Sequence, residues 1–131
     1  MIRSILAAFA LVAGLTPALA LEVDFAAPIL ALDGRPIQAC AEKTEECQRP
    51  ITLGTLSGIA LSRNSDPAAA RGGNPVAPDE KLHRGQLALR VYGAGKLDLA
   101  VEDVALIKRA LGEAVEPVFF ARADALLDPR K

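Results

Sequence analysis

The sequence predicts an α+β domain that is mainly α, with a small N-terminal β hairpin packed on about four helices. Three observations lead there. Residues 81–127 carry apolar side chains at steps of three and four in three successive segments, the period of helices that bury one face. Residues 21–25 (LEVDF) alternate apolar and polar, the period of a strand, and Asp33-Gly34 downstream is a hairpin-turn dipeptide. Between the two regions lies a stretch punctuated by Pro67, Gly72, Gly73, Pro75 and Pro78, which can hold no long helix.

Taken in order, 21–51 reads as a hairpin-type unit. Leu21–Phe25 is its first strand, Asp33–Pro36 its turn and Ile37–Ala39 a second short strand. Pro50 weakens any central-strand reading for the return segment. A hairpin alone is marginal in water, so this unit needs the helices beneath it. Thr52 is a good N-cap for a helix over 52–63, with Leu53, Leu56, Ile59 and Ala60 as its stripe. Gly54 and Gly58 weaken that helix intrinsically and would let another element approach closely. Residues 64–79 form a mobile linker joining two halves of one domain.

The three-helix segment spans 80–128. In its first helix, capped by Asp79, the inward stripe is Leu82, Gly85, Leu89 and Tyr92. Gly93 to Leu99 is a compact turn, and Gly-Ala-Gly-Lys there leads out of a helix, so it is not a phosphate loop. The second helix buries Val101, Val104, Ile107 or Lys108, and Leu111, with Glu102 and Asp103 favouring its positive end and Gly112 ending it. The third begins near Pro117, buries Phe119, Ala123, Leu126 and Leu127, and stops at Asp128-Pro129.

The first 20 residues belong to no part of this fold. Arg3, the apolar run Ile5–Leu15, and Ala18 and Ala20 at the small-residue positions compose a secretory signal peptide, with cleavage expected between Ala20 and Leu21. The competing reading, an uncleaved anchor, needs roughly twenty apolar residues and meets Pro17 instead. Residues 21–131 are then one exported domain with no stable membrane span. Its near-neutral, slightly acidic balance disfavours nucleic acid as a partner.

Cys40 and Cys47 are the only cysteines, and AEKTEE separates them. In an oxidising compartment such a pair reads as a disulfide, in competition with two unpaired thiols or a metal or redox pair. The spacing is not C-x-x-C, and two thiols without a nearby histidine do not complete a zinc site. Closing this loop stabilises the fold by about 2.5 kcal/mol on the chain-entropy model.

The segment EKLHRGQLALRVY, its Gly-containing turn and LDLAVEDVALIKRALGEAVEPVFFARADALLD resemble short uncharacterised phage and prophage proteins. Those pair a small N-terminal strand segment, here DFAAPILALDGRPI, and an ITLGTL-like helix start with such a helical ending. The resemblance covers about residues 24–128. It implies the same strand-plus-helices fold and assigns no activity and no functional residue. The leader, the Cys40–Cys47 loop and Ala100 in place of a Ser or Thr cap depart from it and point to an exported chromosomal form.

For chemistry the sequence offers little. His83 is the only histidine and is expected on the helix surface, opposite Leu89, with no triad partner at local spacing. No nucleophile elbow, zincin motif or phosphate loop is present, and Asp98, Glu102 and Asp103 do not meet the alternating pattern of a calcium loop. No cofactor and no metal site is expected. Val118, Phe119 and Phe120 are the expected partner contact, because adjacent phenylalanines on a helix point about 100° apart and cannot both enter one core. The expected function is an exported, non-enzymatic interaction or structural protein whose partner is another protein. A small periplasmic enzyme or ligand binder using His83 or the Cys loop, or a phage-derived assembly component, are the alternatives.

Overall fold

A computed structural model describes residues 19–40, 44–63 and 76–128. The expected leader, apart from Leu19 and Ala20, and most of the expected linker lie outside the described residues. The elements are β1 (Ala20–Asp24), α1 (Leu53–Ser62), α2 (Pro78–Val91), β2 (Lys96–Ala100), α3 (Val101–Ala114) and α4 (Pro117–Leu127). The fold class is α+β and mainly α: two antiparallel strands against four helices.

The strand that pairs with β1 is not the one its neighbourhood suggests. Register runs from Ala20↔Ala100 to Asp24↔Lys96, so β2 occupies most of the stretch read as a turn. KLDLA alternates correctly for a strand, burying Leu99 and half-burying Leu97 on the face shared with Val23. Gly93, at φ +69°, turns the chain out of α2 and into it.

The expected second strand at 37–39 survives only as isolated bridges. Leu30 pairs with Pro36 around the Asp33-Gly34 turn, where Gly34 takes φ +80°. Ile29, Ile37 and Ile51 exchange backbone bonds at 2.7–2.9 Å, and Gln38↔Pro50 carries the pairing up to the cysteines. Three prolines at 28, 36 and 50 each remove a ladder donor, which keeps this unit from becoming a regular sheet.

Helix α1 sits at the centre, with α2 and α3 packed on it. Thr52 caps it as expected, its hydroxyl accepting the Thr55 N–H at 3.2 Å. Gly54 and Gly58 make the close approaches. A Cβ on Gly54 would lie 2.5 Å from the Val91 carbonyl oxygen, and one on Gly58 would lie 2.9 Å from the Tyr92 ring. The core comprises Val23, Phe25 and Ile29 from the N-terminal unit, Leu53 and Leu61 from α1, and Leu87, Val91, Leu99, Ile107, Leu111 and Leu127 from the rest.

Helix boundaries differ from expectation at two places. Pro78 occupies the first turn of α2, so Ala77 takes the cap position without a side-chain bond and Asp79 falls inside the helix. Gly112 does not end α3, which continues to Ala114; Phe120 lies over Gly112 and covers the helix there. Pro117 and Asp128 bound α4 as read from the sequence.

Candidate functional site

The four residues expected to anchor α2 in the core face the other way. Leu82 is 62 % exposed, Leu89 85 % and Tyr92 60 %, while Gly85 has open space above it. The buried face is Arg84, Leu87, Ala88 and Val91. The helix thus carries two apolar stripes, and the one with smaller side chains lies inward. The glycines of α1 explain the choice: a backbone-to-backbone approach at Gly54 leaves room for Ala88 and Val91 but not for a layer of leucines and a tyrosine.

On α1 one apolar side chain is also open to solvent. Ile59, also expected in the core, is 46 % exposed. A shallow groove of about 630 Å³ runs between the two helices, lined by Gly58, Ser62, Leu82, Gly85, Leu89 and Tyr92. Its floor is low because Gly58 and Gly85 have no side chains.

A charged seam on the other flank of α2 binds it to α3. The buried Arg84 donates from Nε to Glu80 at 3.0 Å and faces Glu113 at 3.5 Å, while Arg109 also meets Glu80. His83 Nε2 lies 2.7 Å from Asp103 Oδ1, a partner twenty residues away that local spacing could not show. The imidazole is half-exposed and the Asp103 carboxylate mostly covered. Each cation of the seam already meets a carboxylate. No group of three or more His, Cys, Asp or Glu that could hold a metal occurs among the described residues.

The remaining expected site residues fall as follows. Val118 is 37 % exposed, whereas Phe119 and Phe120 are both half-buried against the core. Val118 and Phe119 border a depression of about 360 Å³ shared with the exposed Leu32. Cys40 and Cys47 form a disulfide with Cα atoms 4.8 Å apart, closing the loop beyond the Gln38↔Pro50 bridge. Such a bond fits an oxidising compartment. Among the described residues no helix is long and apolar enough to cross a membrane.

Neither a family model, nor a curated protein, nor a solved structure matches the chain. The outer face of α2 groups three large exposed apolar side chains around one groove. Sequence reasoning named three of its large side chains and mistook their direction. The 3-4-3 spacing at 82, 85, 89 and 92 was the available signal, since it suits a helix-facing seam as well as a core stripe.

Proposed function

We propose that this is an exported, non-enzymatic interaction protein that holds another protein against the outer face of α2. The observation that carries the reading is the shared exposure of Leu82, Leu89 and Tyr92 around a glycine-floored groove. Apolar surface of this kind costs solubility and marks contact sites when it is continuous. The leader sequence and the Cys40–Cys47 bond support residence in the periplasm or outside the cell. The His83–Asp103 contact is the feature an enzymatic alternative would use. It sits in an open seam where each cation is matched, and there it serves to clamp α2 to α3. A phage-derived assembly component is a special case of the same reading, with a structural protein as the partner.

The test uses the full chain expressed with its own N-terminal segment. A photo-crosslinking residue replaces Leu89 in one variant and the exposed Arg122 on α4 in another. Adducts are expected from position 89 and not from 122, on a protein whose mass shows loss of residues 1–20 and a closed disulfide. Absence of an adduct at 89 removes the assigned surface, and retention of the leader in the cytoplasm removes the exported role.

A further inference from the structure

Resting on the exported role proposed above, we infer that the fold shuts its own processing site: once β1 pairs with β2 the Ala20–Leu21 bond is closed to cleavage, so the leader has to be removed before the sheet forms. The bond expected to be cut lies inside a strand. β1 begins at Ala20, and the register sets Ala20 against Ala100 and Leu21 against Leu99. Cleavage by a signal peptidase adds water across this bond and leaves a carboxylate on Ala20 and an α-amino group on Leu21. The enzyme must therefore reach the Ala20 carbonyl carbon and deliver a proton to the departing Leu21 nitrogen.

The ladder takes that nitrogen away. Phe25 N–H donates to the Gly95 carbonyl at 2.9 Å, one step beyond the strand in the same register. In an antiparallel pair, hydrogen-bonded couples recur at every second residue, so Val23 with Leu97 and Leu21 with Leu99 are couples of that kind. The Leu21 N–H therefore points at β2. Arg90 donates to the Asp98 carbonyl at 3.0 Å, as the same alternation requires of a carbonyl turned away from β1.

Side chains close the site further. Leu21 is half-buried against the core, on a strand whose Val23 is 1 % exposed and opposite a Leu99 that is fully buried. An endopeptidase takes its substrate as an extended segment with several residues on each side of the cut lying in its cleft. To supply that segment, β1 has to leave β2 and draw Leu21 and Val23 out of the core. Fraying of the terminal Ala20 pair does not suffice, because it leaves the carboxyl side of the bond in place. A precursor that folds first keeps residues 1–20, with the apolar run Ile5–Leu15, so the order of the two events decides whether the domain is released or stays joined to its leader.

The test uses the full precursor, purified unfolded, with signal peptidase in detergent micelles. Added straight from denaturant, the chain is expected to be cut promptly between Ala20 and Leu21, as read by mass. Refolded first, with its helix content measured by circular dichroism, it is expected to be cut at least about tenfold more slowly. Leu99→Asp puts a carboxylate at a buried position of β2 and should abolish that delay. Since this change also weakens the fold as a whole, a second variant isolates the sheet. Glu22→Cys with Asp98→Cys joins two exposed, directly opposed positions of the closer, non-hydrogen-bonded kind in one cross-strand disulfide. The locked chain should resist cutting altogether, while either single change should behave as the wild type. A refolded wild type cut as fast as the unfolded chain, a locked chain cut as fast as the unlocked one, or a precursor that cannot fold with its leader attached overturns the inference. If the unfolded chain is cut at that bond but folding gives no protection, the exported reading stands and the inference falls. If even the unfolded chain is left uncut, the leader assignment fails and takes the inference with it.

Discussion

Replacing Gly54 by alanine sets two effects of opposite sign against each other. On helix propensity alone the change stabilises α1 by about 1 kcal/mol. The structure predicts the reverse. The added methyl would stand 2.5 Å from the Val91 carbonyl oxygen, 3.1 Å from the Phe25 carbonyl oxygen and 3.2 Å from the Phe25 Cβ. None of these can swing aside, because two are backbone and Phe25 and Val91 are fully buried. Relief requires α1 to move away by several tenths of an ångström. That loosens the Gly54 N–H bond to the Phe25 carbonyl, 2.9 Å, and parts the layer between α1 and α2. Overpacking of this kind costs roughly 1–3 kcal/mol and the weakened buried bond about 1 more, so the net loss is about 2 kcal/mol. For a domain of this size that lowers the melting temperature by roughly ten degrees. Circular dichroism melts and urea titrations of the oxidised protein measure it. Gly85→Ala is the control: a Cβ there meets nothing, so the same substitution should stabilise the monomer by about 1 kcal/mol. If Gly54→Ala is neutral or stabilising, the close approach of α1 and α2 is not as described and the argument for the outward stripe goes with it.

Three further outcomes follow from the same packing. The Ser57 hydroxyl is fully buried and accepts or donates no hydrogen bond, so Ser57→Ala should raise stability by about 1 kcal/mol in urea titration. Glu80 serves both Arg84 and Arg109, so Glu80→Gln should destabilise by about 2 kcal/mol, more than Glu113→Gln, because it strips the buried guanidinium of its shorter partner. Reducing the disulfide, or the paired change Cys40→Ser with Cys47→Ser, should cost up to about 2.5 kcal/mol and raise exchange first at the Ala39 amide, which bonds the Arg49 carbonyl beside the Gln38↔Pro50 bridge, detectable by hydrogen exchange.

Residues whose cues are local behaved as the sequence suggests. Thr52 caps α1, Pro117 opens α4, Asp128 closes it, and Val104, Ile107 and Leu111 turn inward together. What could not be read locally was decided by distant partners. KLDLA carries a strand pattern, but its length and flanking glycines also suit a turn, and only β1 distinguishes the two. On α2 the periodicity admits two faces, and hydrophobic size favours the wrong one. The inward face contains an arginine, acceptable only because Glu80 and Glu113 converge on it from two helices. The same limit hid Asp103 from His83. The apolar residues of the candidate surface were visible from the start, and their side of the helix was not.

The pairing of β1 with β2 bears on the order in which the chain can acquire structure. β1 supplies Val23 to the core and leads directly into the buried Phe25, yet among the described residues its only strand neighbour begins at Lys96. As the polypeptide emerges from the ribosome, the first strand has no edge to join until some seventy residues later, and the loop thus closed takes in more than half of the domain. The 29–51 unit has backbone bonds and a disulfide of its own, and α1 packs on α2, so these contacts do not depend on β2. The sheet itself is therefore a late element of synthesis, completed only after α1 and α2 have been made.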